Sequence, residues 1–199
     1  MIISVGSVKG GVGKTNTAIH IAAYFQLQPT LLVDSDRIRA SLLWSKRGQL
    51  MFDVVDEIQQ AKAMRAKRYE HIVFDTEGSI TDTGLRELST GSDLLVIPAI
   101  PEASATDGLI YTLQQLDGTK AKYKILLNRV KHNRVKEATE LRAALNEMEV
   151  PVFQTEIPDL AAFDKASAQG VAVYDVQDPR ASRAWQSFLD LGKEIEADA

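Results

Sequence analysis

Five short apolar runs punctuate the chain, at residues 2–5, 30–33, 71–74, 94–97 and 124–127. Each is continuous rather than alternating, and rich in Ile, Val and Leu. Such runs are how strands covered on both faces of a parallel sheet read. The stretches between them predict helices over residues 15–26, 40–48, 58–68, 83–90 and 105–116. Three more helices are predicted at 135–148, 160–168 and 180–197, and two further short strands at 52–55 and 150–153. Strands that alternate with helices imply a three-layer α/β sandwich, a mostly parallel sheet with helices on both faces and right-handed crossovers. No repeat, low-complexity tract or linker interrupts the pattern, so residues 1–199 read as one domain.

Composition narrows the chemistry. The chain has no cysteine, which excludes disulfides, thiolate metal sites and cysteine-held iron–sulfur clusters. No run approaches the length of a membrane span, and no basic segment leads into a long apolar one, so a cytoplasmic protein is expected. The net charge of −4 does not suggest a polyanion binder. Its distribution does: residues 120–142 carry eight Lys and Arg against Glu137 and Glu140. Patches decide such binding more than totals.

The strongest local signal is Lys9-Gly10-Gly11-Val12-Gly13-Lys14-Thr15, which follows the run Ile2-Ile3-Ser4-Val5 and opens a helical stretch. Strand, glycine loop and helix together make a phosphate-binding loop. Glycines let the backbone turn tightly and aim its N–H groups at phosphate oxygens, and the helix N-terminus adds positive charge. Lys14 can reach the β- and γ-phosphates, and the Thr15 hydroxyl can ligate Mg²⁺. Ligands in such sheets lie at the carboxyl ends of strands. There stand Asp34 and Asp36 after the second run, Asp75 after the third, and Asn128 with Arg129 after the fifth. A carboxylate at 36 also suits capping of the helix that begins near residue 40. Lys9 is the odd member, since an ordinary phosphate loop has no use for it.

Lys9 is what makes the segment resemble the deviant Walker A box of the ParA/MinD partition and positioning ATPases. The resemblance runs from Met1 to about Tyr174. It implies a Mg-dependent ATPase with slow basal hydrolysis, in which Lys9 crosses a nucleotide-sandwich homodimer to the partner's ATP. Lys9, Gly10, Gly11, Val12, Gly13, Lys14, Thr15 and Asn16 would hold the phosphates, and Asn128, Arg129 and Pro158 would flank the adenine. Thr15, Asp34 and Asp75 would serve Mg²⁺. Asp36 would position the attacking water, with Lys9 and Lys14 completing the catalytic set. Three positions depart from the family pattern: Asn16 stands for threonine, Arg37-Ile38 for Pro-Gln, and Glu77 for proline.

The resemblance further implies non-specific binding to nucleoid DNA and release by a ParB-like or other cargo adaptor. Lys122, Lys131, Arg134 and Lys136 are the candidate phosphate contacts, and a nucleoid-associated protein follows. Chains with no DNA-reading segment before the first strand resemble the short partition ATPases. The runner-up is a metabolic ligase or kinase of the same superfamily, like dethiobiotin synthetase. Membrane cycling as in MinD needs a basic amphipathic tail. The tail here, 189–199, is acidic, so no membrane partner is expected.

Overall fold

The computed structural model describes residues 1–77 and 80–198, the side chains of 103–105 excepted. Seven strands form one sheet: β1 (Ile2–Val5), β2 (Thr30–Asp34), β3 (Asp53–Asp56), β4 (His71–Asp75), β5 (Leu94–Ala99), β6 (Tyr123–Val130) and β7 (Val152–Pro158). Their order is β3-β2-β4-β1-β5-β6-β7, and every pairing is parallel. The helices are α1 (Lys14–Tyr24), α2 (Ala40–Arg47), α3 (Glu57–Ala66), α4 (Asp82–Gly91), α5 (Ala103–Leu116), α6 (Val135–Glu147), α7 (Ala161–Gln169) and α8 (Ala181–Asp198).

Successive side chains of a strand point to opposite faces. In β5, Leu94 and Val96 join one core with α1, α7 and α8, while Leu95 and Ile97 join a second with α4, α5 and α6. Both faces are therefore dry, which is why the runs show no polar alternation. Both short strand candidates enter the sheet, as its edges β3 and β7. β7 starts two residues later than the run predicts and continues to Pro158. Its exposed Gln154 and its Thr155 and Glu156 hid this continuation, because an edge strand needs no unbroken apolar run. Glu194 of α8 covers that edge, its carboxylate accepting the N–H groups of Gln154 and Thr155 at 2.8 and 2.7 Å.

The strand order places the site. β1 lies between β4 and β5, and the chain leaves it first toward β2 and later returns on the other side. That reversal is the switch point at which parallel α/β sheets hold ligands, beyond the strands' carboxyl ends. His20 fixes α1 behind it. Its Nδ1–H donates to the Asn16 carbonyl at 2.7 Å, and its Nε2 accepts the Val173 N–H at 3.0 Å. The ring stacks on Phe188 and meets Trp44 and Phe163 edge-on. Complete burial pushes its pKa down to about 4, so the imidazole is neutral.

Candidate nucleotide site

The loop from β1 to α1 is built on two left-handed glycines, Gly11 at φ 76° and Gly13 at φ 89°. Gly13 also caps α1, and its carbonyl accepts the Thr17 N–H at 2.9 Å. Any Cβ at Gly13 would collide with the Asn128 amide. Val12 is buried and anchors the loop from below. Lys14 is almost wholly buried, and its ammonium donates to the Lys9 carbonyl at 3.0 Å. Burial lowers its pKa, while Asp75 and Asp36 act to raise it. A cation held among backbone donors and carboxylates is what a polyphosphate requires.

Asp75 ends β4 fully buried. Burial is the main cause that lifts its pKa to about 7; hydrogen bonds from Ser41 and Thr15 oppose the shift, and Asp34 and Asp36 reinforce it. Ser41 Oγ donates to its Oδ2 at 2.7 Å, whereas Oδ1 is buried with no partner within hydrogen-bond distance. An orphaned carboxylate oxygen close to the Thr15 hydroxyl fits Mg²⁺, a hard cation that takes one or two carboxylates plus substrate phosphates. Among the described residues no three His, Cys, Asp or Glu side chains gather as a metal cage.

Asp34, the other carboxylate expected near Mg²⁺, is held by backbone donors. Its Oδ1 accepts the Asp36 N–H at 3.0 Å and its Oδ2 the Leu42 N–H at 2.9 Å. Its carbonyl accepts from Arg39. Asp34 thus shapes the loop that carries Asp36. The Asp36 carboxylate accepts the Ile38 N–H at 2.9 Å, so it closes a local turn and does not cap α2. The α2 N-cap is Arg39, left-handed at φ 57°. The turn thus forms with Arg37-Ile38 in place of Pro-Gln.

Asn128 is buried near the end of β6, which runs on to Val130, three residues past the predicted run. Its Nδ2 donates to the Val12 carbonyl at 2.8 Å and its Oδ1 accepts the Arg129 N–H at 2.9 Å. The amide braces the phosphate loop. Arg129 reaches the Gly11 carbonyl at 3.3 Å and pairs with Asp159 at 3.5 Å. Asn16 directs a buried, unpartnered Oδ1 atom toward the same region.

A cavity of about 390 Å³ opens beside the loop. Gly13, Thr15, Asn16, Asn128, Arg129 and Pro158 line it together, so the structure unites residues from three separate segments. Its apolar wall is Leu43, Trp44, Leu160 and Phe163, with Arg47 and Asp164 near the rim. Those α2 and α7 residues, and Ser41, carry no motif in the sequence; only the packing of α2 against α7 brings them in. Polar groups at one end and an apolar wall at the other suit a nucleoside attached to phosphates.

The basic run divides. Lys122 precedes β6 and Lys131 follows it, so eight strand residues, roughly 26 Å of extended chain, part them. Lys131 and Arg134 share Glu102, at 3.0 and 3.2 Å. Lys136 pairs with Glu140 at 3.5 Å. Beside them, Lys131, His132, Arg180 and Arg183 line a groove of about 550 Å³ between β7, α6 and α8, together with the carboxylates Glu156, Asp159 and Asp190.

A parallel sheet whose first strand ends in such a loop is a P-loop nucleotide-binding fold. The chain belongs to the CobQ/CobB/MinD/ParA nucleotide-binding family, whose domain it matches over residues 3–173. It is 28% identical over 206 residues to a maintenance of carboxysome distribution protein A from Gloeobacter kilaueensis, covering 99% of this chain and 94% of that one. Among solved structures it resembles the MinD cell division protein of Aquifex aeolicus, with TM-score 0.77, 19% identity, and coverage of 100% and 98%. It also resembles an ATP complex of a Cyanothece McdA variant, with TM-score 0.73, 16% identity, and coverage of 98% and 96%. The described helices include none long and apolar enough to cross a membrane.

Proposed function

We propose that this chain is an ATP-dependent positioning ATPase that uses DNA as its track. The observation that carries the reading is Lys9, placed on the phosphate loop beside Lys14 in a site whose own cation needs Lys14 already meets. ATP bound against the loop joins two copies, each Lys9 serving the other's nucleotide. Thr15 and the free oxygen of Asp75 would hold Mg²⁺, which when bound would supply positive charge beside the phosphates. Lys14 holds the same phosphates, and Asp36, on the turn shaped by Asp34, orients the water. Burial keeps bulk water out and the Asn128 brace keeps the loop closed. Basal hydrolysis is slow, so the bound state lasts until a ParB-like or other cargo adaptor accelerates it.

The dimer binds nucleoid DNA without base preference. Lys131, Arg180 and Arg183 share one groove with Glu156, Asp159 and Asp190, and are the proposed phosphate contacts there, whereas Lys122 sits at the far end of β6. The weak surface pairs to Glu102 can be exchanged for phosphate at little cost. The name of the Gloeobacter relative favours a carboxysome over a plasmid as cargo.

DNA binding with ATP at graded salt tests the reading. Wild type should bind unrelated duplexes equally, with log affinity falling against log salt by about 0.9 per phosphate neutralised. A Lys131→Ala, Arg180→Ala, Arg183→Ala triple variant should bind more weakly and with a shallower slope. No ATP-dependent binding by wild type at any salt would contradict the DNA track.

A further inference from the structure

Gly108 stands inside helix α5, where glycine is among the least favourable residues. A glycine there asks for a packing reason, and the structure gives one. A Cβ built at 108 would lie 3.2, 3.7 and 3.3 Å from Cβ, Cγ and Cδ of Lys9. Carbon atoms ordinarily settle about 3.5–4.0 Å apart. The stem of Lys9 therefore lies along α5 over bare backbone, at a spacing that a methyl group at 108 would crowd.

The main chain of Lys9 is held separately. Its N–H donates to Ser7 Oγ at 3.2 Å, and its carbonyl accepts the Lys14 ammonium. We infer that Gly108 is a positioning residue for Lys9: its bare backbone forms a resting groove that holds the signature lysine along its own subunit. This rests on the reading that Lys9 crosses to a second copy's ATP. Leaving the groove forfeits packing, so the groove adds to the ATP needed to assemble the dimer. A state that binds ATP only after giving up such contacts has its apparent affinity reduced by the fraction competent.

The test is Gly108→Ala, which favours helix and so keeps the fold. Two measurements are made. The first is the ATP concentration at half-maximal dimerisation, by light scattering, for wild type, Gly108→Ala, Lys9→Ala and the double variant. The second is the rate at which an N-hydroxysuccinimide acetate modifies the Lys9 amine in the nucleotide-free monomer, by peptide mass spectrometry. Gly108→Ala should lower the ATP midpoint about threefold to tenfold and raise the Lys9 modification rate at least twofold. The double variant should match Lys9→Ala. If Lys9→Ala loses the dimer while Gly108→Ala leaves both midpoint and modification rate at wild-type values, the groove role is overturned and the trans-lysine reading stands. If Lys9→Ala dimerises like wild type, that reading itself fails.

Discussion

Single residues in this protein are read best by where their last hydrogen bond goes. Asp34, Asp75 and Asn128 all sit at or near strand ends, and the apolar runs located each of them. Their neighbours decide what each does. Asp34 spends both oxygens on backbone N–H groups, and Asn128 spends its amide on the phosphate loop. Of these three, Asp75 keeps a buried oxygen without a hydrogen-bond partner. Strand-end position is legible in sequence because it follows from hydrophobic patterning. Partner identity is not, since Leu42 and Val12 reach these groups through folded loops. His20 escaped notice altogether, because a lone histidine in an apolar helix gives no sign of its two backbone partners. It carries a prediction. Its folded pKa, about 4, lies below its ordinary 6.5, so the unfolded chain binds the extra proton between those values. The stability it contributes is whole above pH 6.5 and drains away as pH falls toward 4. Between pH 7.5 and pH 5, urea unfolding of wild type should lose about 2 kcal/mol more than that of His20→Gln. Parallel losses in the two proteins would show that His20 titrates freely.

At the scale of elements, close approach of helices explains what propensity does not. Gly192 interrupts α8, and a Cβ there would lie closer than 3.0 Å to the root of the Tyr24 ring on α1. That ring cannot simply swing away, since its hydroxyl donates to Glu196 at 2.8 Å. Overpacking of this kind costs about 1–3 kcal/mol beyond any gain from better helix propensity. Gly192→Ala should therefore lower the urea midpoint with the slope unchanged; a rise in the midpoint would mean that α1 and α8 have room to part. Most elements were legible because their apolar periodicity is strong, as in β1, β2, β4 and β5. The edges β3 and β7 were weaker signals because one side of each is open. The interior glycines at 108 and 192 drew no notice in the sequence, because their reasons lie on the β1–α1 loop and on α1, far away along the chain.

For the whole molecule, the charge reading changes most. A basic run in sequence became pairs and a groove in space, because β6 runs through its middle and carries Lys122 away from Lys131. Glu102, Glu140 and Glu156 neutralise much of what remains. Arg180 and Arg183, fifty residues on, complete the surface instead. The three-layer parallel sandwich itself was fully anticipated, since buried parallel strands announce themselves in any order; the spatial order of strands did not, because crossovers leave no residue signature. What joins these scales is Lys9, a loop residue set against a helix, in a fold whose site faces outward at the strands' carboxyl ends. The most direct measurement is therefore the mass of the particle in solution with ATP and Mg²⁺, against ADP and Mg²⁺. Wild type should shift from the 21.9 kDa monomer to twice that mass with ATP only, and Lys9→Ala should bind ATP yet stay at 21.9 kDa. A wild-type monomer with ATP, or a Lys9→Ala dimer formed as readily as wild type, would contradict the account.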